Sequence, residues 1–136
     1  MRQTGRFLLL LSLALALSPE SGSPGIARAG GDGSKPGKKT IEGELVDSRC
    51  FLQQDARGEV HRGCAITCAK SGLPLGVATA DGKYDTLAVQ PASLANHAAR
   101  TVRVTGLEKH ATILPTKLEV KNAAGWQEVK LPEQMM

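Results

Sequence analysis

The sequence predicts a small, mainly β domain, and three observations carry that prediction. Several short segments alternate apolar and polar residues with the period of a half-buried strand. An Asp81-Gly82 dipeptide separates two of them, and one proline-led segment of helical character falls between the third strand and the fourth.

The first strand starts at Thr40, with Ile41, Gly43 and Leu45 on one side and Glu42 and Glu44 on the other. Residues 73–79 and 84–89 flank Asp81-Gly82, where glycine supplies the positive φ of a tight turn, so they should pair antiparallel. Pro91 suits the first turn of a short helix over 92–99, because a proline there loses no needed N–H, and Leu94 and Ala98 give the helix a small apolar stripe. Residues 101–107 turn Val102 and Val104 inward and Arg103 outward. Residues 116–121 alternate Leu118 and Val120 with Lys117, Glu119 and Lys121, Pro115 limiting pairing at their start. Residues 126–131 read as a terminal strand or a packed tail. The order strand, strand, strand, helix, strand, strand is that of a five-stranded OB-like barrel, with its short helix between strands 3 and 4. A Cys-containing helix over residues 61–71 is inserted between strands 1 and 2, with Gly72 placed to end it in the left-handed conformation.

Before this domain the pattern differs. Arg2 and Arg6 precede an apolar run over residues 7–17 that is interrupted only by Ser12 and stops at Ser18-Pro19-Glu20. A membrane span needs about 20 apolar residues, so the run reads as a signal peptide and leaves no permanent membrane anchor. Ala27-Arg28-Ala29 ahead of Gly30-Gly31 supplies the small residues that cleavage requires, which places the cut after Ala29 and the signal peptide at 1–29; an earlier cut near Ser18 is the alternative. No cysteine follows the run closely, so no lipoprotein site is expected. Residues 30–39, half glycine and proline, read as a flexible linker, and 40–136 as the β domain with its C-terminal tail. The linker lacks the spacing of a phosphate-binding loop.

Removing Arg2, Arg6, Arg28 and Glu20 with the signal leaves 14 basic and 12 acidic side chains, a net charge of +2. Nucleic acid is a poor partner for such a surface, which also offers only Phe51, Tyr84 and Trp126 for stacking. Enzyme signatures are equally thin. No Gly-x-Ser-x-Gly elbow and no acidic dyad stands out, and His97 with Asp85 or Ser93 is the one catalytic set that can be drawn, from residue types that normally sit on surfaces.

The chemistry concentrates instead in Cys50, Cys64 and Cys68, with His61 between them and Asp47 just ahead. On the expected helix His61, Cys64 and Cys68 stand at i, i+3 and i+7 and share a face, while Cys50 is placed on the loop leaving strand 1. Cys64 and Cys68, one turn apart, would have Cβ atoms about 5–6 Å apart, too far for an unstrained disulfide. A bridge from Cys50 to either helical cysteine would contribute about 3 kcal/mol in the chain-entropy model.

An odd thiol then remains, and three readings compete. The third cysteine is buried and inert or pairs with another chain; or Cys50, His61, Cys64 and Cys68 bind zinc or another thiophilic ion tetrahedrally; or the thiols do redox chemistry, although Cys-x-x-x-Cys lacks the thioredoxin-type spacing. Haem attachment fails for want of Cys-x-x-Cys-His. Asp47 either supports His61 by a hydrogen bond or caps a turn with Ser48, and the turn is favoured. Arg49 and Arg62 could lower a thiol's pKa, but arginines beside a loop are usually solvated.

Over residues 40–121 the chain resembles small exported OB-like domains found in bacterial genomes. The stretch His61-Arg62-Gly63-Cys64-Ala65-Ile66-Thr67-Cys68-Ala69-Lys70-Ser71-Gly72 resembles a Cys-bearing insert that recurs in them. The resemblance implies a fold and a periplasmic or secreted location, and no activity. The expectation is therefore a non-catalytic binding module whose partner is a metal ion or a protein, with a thiol-redox or metal-transfer protein and a structural disulfide domain as alternatives.

Overall fold

The computed structural model describes residues 35–133; the signal segment and its cleavage site lie outside the described residues. Six strands are present: β1 (Gly37–Asp47), β2 (Leu75–Ala78), β3 (Tyr84–Leu87), β4 (Thr101–Lys109), β5 (Thr112–Asn122) and β6 (Gly125–Glu128). Helices α1 (Ser48–Gln54) and α2 (Arg62–Lys70) fill the β1–β2 connection, with a 3-10 turn, Glu59–His61, leading into α2. Helix α3 (Pro91–Leu94) and a second 3-10 turn, Ala95–His97, join β3 to β4.

The strands close into an OB-like barrel because β1 is long enough to serve two neighbours. Its residues 37–44 pair with β4 and its residues 44–47 with β2, both antiparallel. Glu44 belongs to both ladders. Gly43 lies at the changeover, where a Cβ would fall 2.9 Å from a Val77 methyl carbon, so only glycine lets the strands cross this closely. β2 pairs with β3, β4 with β5, and the parallel contact of Thr86 and Leu87 with Thr112 and Ile113 seals the barrel. β6 lies outside it on the far edge of β5.

The inward residues of the alternating segments meet in one core. Leu45, Leu75, Val77, Val102, Val104, Ile113 and Leu118 are fully buried, and Leu94 plugs the barrel from α3. Burying each such side chain contributes about 1.5–3 kcal/mol, which is what turns the apolar face of each alternating strand inward.

Several boundaries move from the sequence expectation. β1 begins at Gly37, so residues 37–39, read as linker, are strand paired with Gly106, Leu107 and Glu108 of β4. The helix expected over 92–99 is only α3 and its 3-10 turn, which leaves Ala99 at positive φ and lets Ala99 N donate to the Leu45 carbonyl. β5 begins at Thr112 and runs through Pro115, because the ladder slips between Thr105 and Gly106 and absorbs an extra residue as a bulge there. Of the segment 126–131, expected as a terminal strand or a packed tail, the first part is strand β6, which starts at Gly125 and ends at Glu128, and Val129 and Leu131 beyond it pack against the core.

Candidate functional site

The helical insert carries the cysteines, and its first helix was not expected. Asp47 ends β1 in an extended conformation and its Oδ1 accepts from Cys50 N at 2.9 Å, so it is the N-cap of α1. Cys50 is thus on a helix and not on a loop. Phe51 anchors that helix beside the barrel, buried against Val46 and Ala78 and stacked on Tyr84 with ring centroids 5.2 Å apart. The Arg57 guanidinium covers the Phe51 ring, 4.8 Å from its centroid. Asp55 closes α1 in the left-handed conformation, its N–H returning to Phe51 O at 2.8 Å.

Helix α2 presents its smallest side chains to the barrel. Ala65 and Ala69 are its buried residues, one turn apart, and Ala69 belongs to the main core. Cys64 and Cys68 each precede one of these alanines, so they flank the buried stripe on one side of the helix. The helix ends as expected: Gly72 adopts positive φ, with Gly72 N donating to Ala69 O and Leu73 N to Cys68 O. Arg62 fixes the other end, donating to Ala98 O at 3.3 Å and Asn96 O at 3.1 Å. It is a staple between α2 and the second 3-10 turn, and not a free cation beside a thiol.

This packing brings the three sulfurs of Cys50, Cys64 and Cys68 within 4.8 Å of one another, and Cys50 Sγ to 4.0 Å from Cys64 Sγ. A disulfide requires about 2.05 Å. All three cysteines are free, and none of their sulfurs approaches another at bonding distance. Three thiolates on a tetrahedral ion with bonds of about 2.3 Å would stand about 3.8 Å apart, close to the separation observed.

His61 belongs to a second group. Among the described residues, Asp47, Cys50 and His61 also bring one donor atom each within 4.8 Å, whereas His61 forms no such group with Cys64 and Cys68. The shared phase on one helix therefore overstated its approach to those two sulfurs, because His61 lies in the 3-10 turn ahead of α2. His61 Nε2 is 3.1 Å from Asp47 Oδ2. Asp47 thus bonds His61 through one oxygen and caps with the other, although what it caps is helix α1, opened by Ser48, and not an isolated turn. The double engagement has a physical reason: Asp47 has no exposed surface, and a buried carboxylate is costly unless both oxygens are satisfied.

Burial, the Asp47 carboxylate and the nearby Cys64 sulfur push the Cys50 thiol up to about 12, and burial followed by Asp47 raises Cys68 as well. Both thiols are held protonated at neutral pH, so a metal ion has to displace their protons to bind. Cys64 is the exposed member of the trio and opens the cluster to solvent.

The catalytic set drawn from the sequence does not assemble. Asp85 is buried in a salt bridge to Lys39 at 3.0 Å, and the Ser93 hydroxyl donates to Gln90 O at 2.7 Å. His97 faces a separate cavity of about 400 Å³ with Arg100, Lys121 and Glu128. Among the described residues no helix is long and apolar enough to cross a membrane.

Fold and site together define a small OB-like barrel with a thiol cluster on a helical insert in its β1–β2 connection. Comparison of the chain with family models, curated proteins and solved structures finds no match.

Proposed function

We propose that the domain is an exported, non-catalytic module that binds a thiophilic metal ion through Cys50, Cys64 and Cys68. The observation that carries this reading is the convergence of three free sulfurs within 4.8 Å. Soft thiolate donors select ions such as zinc or copper(I). The exposed Cys64 leaves room for a fourth ligand from solvent or a partner, which suits an ion that is exchanged better than one locked into the fold. The apolar run over residues 7–17 supports export to a periplasmic or secreted location.

Metal content of the reduced protein tests the reading. Purified with thiols protected, it should carry one equivalent of copper(I) or take one up, and serine at any one of the three cysteine positions should lower that content. Three serine variants with wild-type metal content would overturn it. The 4.0 Å approach of Cys50 to Cys64 favours thiol–disulfide exchange as the second reading. In that case equilibration with a glutathione redox buffer should produce an intrachain disulfide that Cys50→Ser abolishes, in a protein that takes up no metal when reduced.

A further inference from the structure

Cys50 belongs to two donor groups at once. One is all sulfur, with Cys64 and Cys68; the other combines the Cys50 sulfur with an Asp47 carboxylate oxygen and a His61 ring nitrogen, and both close to within 4.8 Å. The second group is the more deeply set, since the Asp47 side chain has no exposed surface and that of His61 is 16% exposed. The backbone also steadies it, because Asp47 Oδ1 accepts from Cys50 N at 2.9 Å while Oδ2 faces His61. The chemistry of the two groups differs. Copper(I) prefers thiolates, whereas divalent ions of the zinc and cobalt kind accept imidazole, carboxylate and thiolate together.

We infer that the cluster holds two overlapping positions sharing the Cys50 sulfur: an all-thiolate position for copper(I), and a mixed carboxylate, thiolate and imidazole position for a divalent cation. This rests on the metal-binding function proposed above and adds which residues select which ion. A divalent ion in the mixed position replaces the hydrogen bond between Asp47 Oδ2 and His61 Nε2. It ligates both atoms and the Cys50 thiolate; the imidazole proton shifts from Nε2 to Nδ1 through solvent, so the ring stays neutral, and the thiol proton leaves to solvent. Asp47 Oδ1 keeps its bond to Cys50 N throughout, so α1 retains its N-cap while the ion binds.

The test titrates the full chain, with its thiols reduced and oxygen excluded, with cobalt(II) and separately with copper(I). Cobalt charge-transfer absorption grows with each thiolate bound. Wild type should show the intensity of one thiolate, Cys50→Ser should lose it, and Cys64→Ser and Cys68→Ser should keep it. Asp47→Asn and His61→Gln should each weaken cobalt binding about tenfold or more. Their copper(I) affinity, read by competition with a chromogenic chelator, should be unchanged. Should Asp47→Asn lower the helical circular dichroism, His61→Gln, which leaves the cap intact, decides the matter. A cobalt band of three-thiolate intensity that falls in Cys64→Ser and Cys68→Ser would overturn the inference and leave the metal-binding function standing. Copper(I) affinity unaffected by serine at all three cysteine positions would overturn both.

Discussion

The barrel wall and the α1–α2 insert hold themselves together by different means. In the wall, large aliphatic side chains from β1, β2, β4 and β5 meet with no exposed surface, and each of those strands is paired on both sides. The insert buries two alanines and Phe51. Alanine burial contributes little hydrophobic free energy, so the position of α1 relative to α2 leans on Asp47, whose two oxygens reach one residue from each side of the cluster. The difference teaches where a bound ion would act. It would tie the insert together and leave the barrel largely as it is, because the elements with fewest apolar contacts open first.

The largest effect that can break this comparison lies in the wall. Leu118→Ala removes a fully buried side chain from β5 and should cost about 2–5 kcal/mol in urea unfolding. The metal content of the folded fraction should stay at the wild-type value. A parallel loss of metal would mean that wall and insert are one cooperative unit.

A smaller effect is expected in the insert. Asp47→Ala deletes the α1 cap and leaves His61 Nε2 without its partner, at a cost of about 0.5–2 kcal/mol. Amide hydrogen exchange should accelerate across α1 and α2 while β4 and β5 keep their protection. Uniform acceleration would refute the separation.

The smallest effect sharpens the comparison beside Arg62, where α2 begins. Burial, with Arg100 and Arg62 next in effect, holds the His97 pKa below its ordinary 6.5. The unfolded chain therefore binds a proton first as the pH falls, so the stability contributed by neutral His97 is complete above about 6.5 and is lost as the pH drops towards the folded value. His97→Gln cannot titrate, and its melting temperature should fall less than that of wild type between pH 7.5 and pH 5.5. Equal slopes would show that the fold does not lower the His97 pKa.

What could be read from the sequence and what could not divide along the same line. The OB-like order of strands was visible because strand alternation is a property of neighbouring residues, and Val102, Val104 and Leu118 could bury only one way. Gly72, Gly82 and Pro91 marked their turns and helix start for equally local reasons. The three-cysteine cluster could be named from residue type and proximity in the chain. Helix α1 escaped because seven residues are too few to show a helical period, and Phe51, which anchors it, finds its partners Val46, Ala78 and Tyr84 only in the folded chain.

By itself, then, the sequence determined the strand order, the inward-facing aliphatics and the identity of the clustered cysteines. Tertiary structure alone decided that β3 meets β5 in parallel and that Cys50 Sγ comes to 4.0 Å from Cys64 Sγ. It also decided that His61 keeps company with Asp47 and Cys50. The physical reason is that periodicity and turn chemistry are written in adjacent residues. The approach of side chains 14 residues apart, as in both Cys50–Cys64 and Asp47–His61, depends instead on how two short helices settle against a barrel whose surface neither of them specifies.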